Sequence, residues 1–245
     1  ADLVRVYKDR KTFSSDKKIE FYPKFGDSLL YQHHTTSLVF NDAPLHTRVR
    51  RAIAGALAPR AIAGMDVVVQ QLVDRLIEDL AARQQAGKPI DAVAHFAQNI
   101  PIEVIGNLLA IPRAEREPLR DWSLAILGAL EPEISQQQFD AGESAVREFL
   151  AYLEALVARR RAEDLEAASD IMARLIRETF EAGEDANLLP HELLQNCIFI
   201  LNAGHETTTN LICSGIFLLA HRPQIVARLA ENPDLWPAAI EEILR

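Results

Sequence analysis

From Asp42 onward, apolar residues recur at helical spacing along almost the whole chain. The spacing predicts helices over about 42–57, 60–86, 93–110, 114–130, 136–163, 168–182, 190–221, 223–231 and 236–245, with a short one over 1–10. Gly87-Lys88-Pro89, Ile111-Pro112, Gly183 and Arg222-Pro223 separate them. Asp42 stands where a cap for the next helix belongs, and Pro44 falls near its first turn. Residues 14–40 read as a long loop, with Ser14-Ser15, Pro23, Gly26 and Asp27 as breakers. Its Phe21, Tyr22, Phe25, Leu29, Leu30 and Tyr31 argue for a packed lid over a disordered segment. Only 89–93 and 37–40 have the character of strands. The expectation is a mainly α architecture with small β content and one unusually long helix near its C-terminal end.

The two ends fall inside helical patterns, Leu3-Val4-Val6-Tyr7 at one and Ala239-Ile240-Ile243-Leu244 at the other. Helix ends need partners for their free backbone groups. The sequence is therefore expected to be a piece of a longer chain, continuing at both ends.

Composition narrows the class. The 245 residues are 49% hydrophobic and 25% charged, a globular balance. A net charge of -9 argues against nonspecific nucleic-acid binding. The most apolar stretch, 193–219, is interrupted by Asn202, His205, Glu206 and Asn210, which the centre of a bilayer penalises, so it reads as a buried helix. Cys197 and Cys213 lie in that same helical stretch, ~24 Å apart at helical rise and out of disulfide range. There is no CxxC pair. A reducing, cytoplasmic setting is expected.

Three segments carry candidate chemistry. In Asp42-Ala43-Pro44-Leu45-His46-Thr47-Arg48-Val49-Arg50-Arg51, His46 and Arg50 share one helix face. Two donors there suit a carboxylate or a phosphate; the plainer alternative is a solvated basic face. Arg48 and Arg51 read as surface cations that could attract an acidic partner. In Phe199-Ile200-Leu201-Asn202-Ala203-Gly204-His205-Glu206-Thr207-Thr208-Thr209-Asn210, a long apolar helix is interrupted at its midpoint. Gly204 costs about 1 kcal/mol against alanine inside a helix but leaves room against the backbone. An acid beside an alcohol next to such a gap can relay protons, or the segment can be a kinked core helix. Thr209 stands where a second zinc histidine would be needed after His205-Glu206, so a zinc-protease reading fails. In the third segment, Glu242 and Arg245 are spaced to pair along a helix.

Taken together, in this order and at these separations, the three segments resemble the cytochrome P450 family across essentially the whole chain. The resemblance implies a mainly helical prism with small sheets, of which 1–245 is one partial domain. It makes DAPLHTRVRR that family's helix C, with His46 and Arg50 as cofactor-binding residues for the haem propionates. It makes AGHETT the oxygen-binding part of helix I. There Ala203 and Gly204 form the oxygen groove, Glu206 and Thr207 are the catalytic acid–alcohol pair, and Phe199, Ile200 and Thr208 face the substrate pocket. Glu242 and Arg245 become the structural ExxR pair of helix K. Residues 14–40 become the substrate-recognition segment between helices B and C, and the helices near 114–130 and 136–163 resemble the pocket roof, helices F and G. The family's iron-ligating cysteine lies in a loop after helix K, so no metal ligand is expected in this chain. The resemblance further implies haem b, O2 as co-substrate, an apolar small-molecule substrate, and electrons from a ferredoxin and its reductase. It suggests a monomer away from membranes and nucleic acid. The alternative is a catalytically inactive, truncated or degenerate relative acting as a binding module or helical scaffold.

Overall fold

Pro23 and Gly26, which read as loop signals, end one helix and open the way to another. In the computed structural model, which describes every residue except 1, 58–61, 63, 164, 166, 167, 169, 182 and 184–187, the 14–40 stretch holds two helices. These are α2 (Lys18–Phe25) and α3 (Leu29–Thr36), preceded by α1 (Asp2–Lys8). Pro23 sits in the last turn of α2, and the Gly26 amide closes that turn on the Tyr22 carbonyl at 2.8 Å. Ser28 then caps α3 by accepting from the Tyr31 amide. The long-loop expectation is thus corrected: the breakers space two short helices rather than abolish them. The expected packing of the aromatic side chains is present. Phe21, Phe25, Phe40 and His34 meet edge-on or tilted, with ring centroids 5.1–5.8 Å apart.

No strand occurs among the described residues. Both segments with strand character spend amides outside any strand pairing instead. The Leu38 amide is taken by the Asn196 side chain and the Phe40 amide by the Ser37 carbonyl, giving a 3₁₀ turn over Leu38–Phe40. Near 89–93, the Asp91 carboxylate accepts the Val93 and Ala94 amides at 2.8 and 3.0 Å and starts a π-helical turn, Val93–Ala97.

The remaining helices are α4 (Leu45–Ala56), α5 (Met65–Gln85), α6 (Asn99–Leu108), α7 (Leu119–Gly128), α8 (Gln136–Arg161), α9 (Ile171–Phe180), α10 (Pro190–Ala220), α11 (Pro223–Glu231) and α12 (Trp236–Ile243). The start of the helix expected from 60 and the residue-182 end of the one expected over 168–182 lie outside the described residues. The Asp42 cap is corrected. Its carboxylate accepts the Ser14 hydroxyl at 2.6 Å and the Ser15 amide at 3.0 Å, while only its backbone carbonyl receives the His46 amide. The Ser14 hydrogen bond, with that of Ser15, holds the Asp42 carboxyl below the usual range.

The chain divides into two compact units, residues 1–63 with 106–202, and 64–105 with 203–245. The first holds most of the core. Fully buried Phe149 and Leu153 on α8, Ile171, Met172, Leu175 and Ile176 on α9, and Cys197, Ile198 and Leu201 on α10 are all in it. Each large side chain so buried contributes about 1.5–3 kcal/mol. Trp122 of α7 stacks on Phe149 of α8 at 5.0 Å and donates to Glu148 at 3.0 Å. A Ser135–Gln138 capping box starts α8. Further along, Glu143 accepts the first amides of α3, Leu29 and Leu30, at 3.2 and 3.1 Å. In the second unit the core is thinner. Leu72 is the buried apolar residue of α5 and Leu229 that of α11, and Gly215 of α10 faces Ile243 of α12.

Candidate functional site

Helix α4 buries Val49, Ala52, Ile53 and Ala56, a stripe that decides which other faces it presents. His46 is half-buried and Arg50 exposed, one above the other. Among the described residues the Arg50 guanidinium has no hydrogen-bond or ion-pair partner, so its charge is available to an anion from outside. Arg48 behaves differently. Both of its terminal nitrogens meet Glu192 of α10 at 2.5 Å, a forked pair whose carboxylate is only 2% exposed. Glu192 also accepts the Leu189 amide at 2.9 Å. Burial raises its carboxyl pKa, but the Arg48 and Leu189 hydrogen bonds outweigh that and hold it below the usual range. The expectation of Arg48 as a surface cation for a partner is therefore corrected, because it is spent inside the fold. Arg51 is exposed but not free of interactions.

Helix α10 runs through 31 residues without a break. Around its midpoint Leu201, Asn202, His205 and Thr209 are buried, while Ala203, Glu206, Thr207 and Asn210 are exposed. Phe199, Ile200 and Thr208 are half-buried. Ala203, Glu206 and Thr207 thus share an open face that continues the line of Phe199 and Ile200. Gly204 stands at a close approach. A Cβ there would stand 2.7 Å from the Ile105 side chain of α6, which packs against the helix at that point. The hydroxyl of Thr207 donates to the Ala203 carbonyl at 2.6 Å, and Thr209 does the same to His205 at 2.9 Å. In this rotamer Thr207 has used its single proton on the backbone and presents only an acceptor outward. Glu242 and Arg245 pair at 3.4 Å with both side chains well exposed.

Sequence reasoning passed over three buried polar residues at the start of α10. Glu192, Gln195 and Asn196 are 2%, 6% and 1% exposed. Their signal was present, since positions i, i+3 and i+4 of an apolar helix are polar together. Of the two thiols, Cys197 is fully buried and burial pushes its pKa up to about 12. A metal needs the thiolate, so Cys197 fits packing and not iron; Cys213 is half-buried on the same helix. His46 and Arg50, by contrast, are a donor set suited to the carboxylates of a haem. No group of His, Cys, Asp or Glu placed to hold a metal ion occurs among the described residues.

A sequence model of the family described as Cytochrome P450 matches residues 129–235. Cytochrome P450 monooxygenase PikC of Streptomyces venezuelae is 32% identical over 244 residues, 100% of this chain and 55% of that protein. This chain belongs to the cytochrome P450 family. Nocardicin C N-oxygenase of Nocardia uniformis subsp. tsuyamanensis is 34% identical over 209 residues, covering 85% of the P450 chain and 49% of the relative. The crystal structure of CalO2 superposes with a TM-score of 0.88 at 25% identity, covering 99% of this chain and 58% of that one. The P450 chain spans about half the length of the curated relatives it matches. The matched 129–235 stretch contains the Ala203–Thr208 segment; His46 and Arg50 fall within the longer alignment to PikC. P450s are haem-dependent enzymes, and no helix among the described residues of this one is long and apolar enough to cross a membrane.

Proposed function

We propose that the complete protein is a haem monooxygenase that inserts one oxygen atom of O2 into an apolar small organic molecule. The observation that carries this reading is the open face of α10, where Ala203, Glu206 and Thr207 lie in line with half-buried Phe199 and Ile200. Apolar side chains beside an acid and an alcohol suit an oily substrate held next to a point of proton uptake. The haem, with a thiolate ligand, supplies the oxygen-activating chemistry.

The chain's own residues do the rest. His46 and Arg50 would hold the haem carboxylates, Arg50 by its charge. Ala203 and Gly204 keep the helix surface low where O2 binds. Glu206, exposed to water, takes up protons. Thr207 turns its hydroxyl from the Ala203 carbonyl and donates to the reacting oxygen or to a water beside it. Phe199, Ile200 and Thr208 contact the substrate, and the Glu242–Arg245 pair is structural. Electrons come from a ferredoxin and its reductase. The protein works as a monomer in the cytoplasm. As a test, the complete protein is expressed with haem supplied. It is expected to purify with stoichiometric haem and to consume O2 with reduced ferredoxin as donor; a protein that folds but takes up no haem overturns the reading.

A further inference from the structure

The first two turns of α10 hold a different part of the fold with each of their buried polar side chains. Glu192 takes Arg48 of α4 in the forked pair. One turn on, Gln195 meets the Nδ1 of His33 on α3 at 2.8 Å. Asn196 accepts the Leu38 amide at 3.0 Å and donates to the carbonyls of Thr36 and Glu192 at 3.4 and 2.8 Å. All three are more than nine-tenths buried, so each bond forms in a medium that punishes its loss.

The geometry of α4 gives the first of these bonds a consequence. At 100° per residue, Arg48 lies ~200° from both His46 and Arg50, on the far side of the helix. A forked arginine–carboxylate pair admits little rotation about its own axis. Fixing Arg48 at the back therefore fixes the direction in which His46 and Arg50 point at the front. The apolar stripe of Val49 and Ile53 holds α4 to the core but tolerates small rolls, because apolar contact is not directional.

We infer that the first turns of α10 are a two-armed clamp: Glu192 positions the anion-binding face of α4, and Gln195 with Asn196 positions the segment 29–40. The first arm rests on the proposed haem role of His46 and Arg50. Both arms are positioning residues, since neither touches the anion. The two arms are separable even though they lie on adjacent turns, because the segments they hold are different.

The test uses the complete, haem-loaded protein. Two quantities are read: the rate of haem transfer to excess apomyoglobin, and amide hydrogen exchange in peptides covering 29–41 and 45–56. Arg50→Ala is the direct reference and should speed haem transfer on the order of ten-fold with little change in exchange. Glu192→Gln keeps the shape and removes the charge. It should speed transfer about three-fold or more and raise exchange in 45–56 only. Arg48→Lys, with charge but no fork, should fall between wild type and Glu192→Gln. Asn196→Leu should raise exchange in 29–41 while leaving haem transfer within about two-fold. If Arg50→Ala speeds transfer and Glu192→Gln does not, the clamp's first arm is wrong. Exchange rising across the whole chain in both Glu192→Gln and Asn196→Leu overturns the separation of the arms. Unchanged transfer in Arg50→Ala and His46→Ala would remove the haem reading itself, and the first arm with it.

Discussion

The two halves of α10 treat polar residues in opposite ways. Over 192–196, Glu192, Gln195 and Asn196 are buried and bonded to other elements. Over 203–210, His205 and Thr209 are buried as well, but Glu206, Thr207 and Asn210 are exposed, and the Thr207 hydroxyl satisfies itself on its own helix backbone. A polar side chain with a partner in another element holds the fold together, and replacing it is felt as lost stability. A polar side chain that bonds only to its own backbone can rotate away at little cost, and replacing it is felt in chemistry. The contrast predicts that substitutions early in the helix move stability and those at its midpoint move function. Gly204 is a further exception, being midway along the helix yet set close against the Ile105 side chain.

The largest expected effect is on the buried side, and acid reveals it. His33, fully buried against Gln195, is pushed down to about 4 by burial. Its neighbour His34 is pushed lower still, first by burial, then by the proximity of His33 and Lys24. The His34 Nε2 has no hydrogen-bond partner among the described residues. The unfolded chain takes up protons on both rings below about pH 6.5, whereas the folded chain resists until far lower. Their burial therefore has no titration penalty above pH 6.5, and stability falls as pH drops from about 6.5 toward about 4. His33 alone accounts for on the order of 3 kcal/mol across that window. Denaturant melts of the wild type and of His33→Gln at a series of pH values check this. The variant's stability should fall less steeply between pH 6.5 and 4; equal slopes would remove His33 from the account.

Next in size is Gly204. A methyl group there would stand 2.7 Å from the terminal Cδ1 of Ile105, which must turn aside, so Gly204→Ala should destabilise by about 1 kcal/mol or less once alanine's better helix propensity is counted. Shortening the neighbour relieves the clash. In the Ile105→Val background the cost of Gly204→Ala should shrink, a coupling that a double-mutant cycle measures directly. Additive effects would mean that the helix shifts and the close approach is not what sets the cost.

These effects also show why parts of the molecule were legible in advance. Helix 223–231 matches to the residue and the long helix 190–221 to within one, because apolar periodicity and Pro223 are local signals. The 14–40 segment was misread because Pro23 and Gly26 are ambiguous. The same residues that break a helix also end one, and the side chains that hold α3 in place, Glu143, Gln195 and Asn196, are all more than a hundred positions away. Arg48 was misread for the same reason, since its partner Glu192 lies 144 positions on and no local pattern announces it. Asp42 looked like a cap by position but is spent on Ser14 and Ser15. The candidate residues of the midpoint were legible as a motif, but the exposure of Ala203, Glu206 and Thr207 was not, because the stretch read as a buried helix. The rotamer of Thr207 and the packing role of Gly204 were not legible either, because both depend on where a neighbouring atom stands.

The smallest effect on stability, and the one that separates structure from chemistry most cleanly, is expected at Thr207. Its hydroxyl is on an exposed face and its one bond, to the Ala203 carbonyl, is to a backbone oxygen that the helix already uses. Thr207→Ala should therefore change stability by about 0.5 kcal/mol or less. Function should respond differently. If the hydroxyl hands a proton to the reacting oxygen, its removal leaves substrate binding nearly unchanged but diverts electrons from product to hydrogen peroxide. Product formed per electron donor consumed falls, with peroxide rising to match. Thr207→Ser keeps a hydroxyl and should stay close to wild type. Thr207→Val keeps the branched shape without the hydroxyl and should behave like Thr207→Ala. A purely structural threonine, acting through the Ala203 carbonyl, gives another pattern, because losing that bond alters helix geometry and not the fate of the electrons. Glu206→Gln sharpens the comparison further. As an exposed source of protons rather than their last donor, it should slow turnover while leaving the ratio of product to peroxide nearly intact. Tight coupling in both Thr207→Ala and Thr207→Val would return the residue to the structural half of the helix.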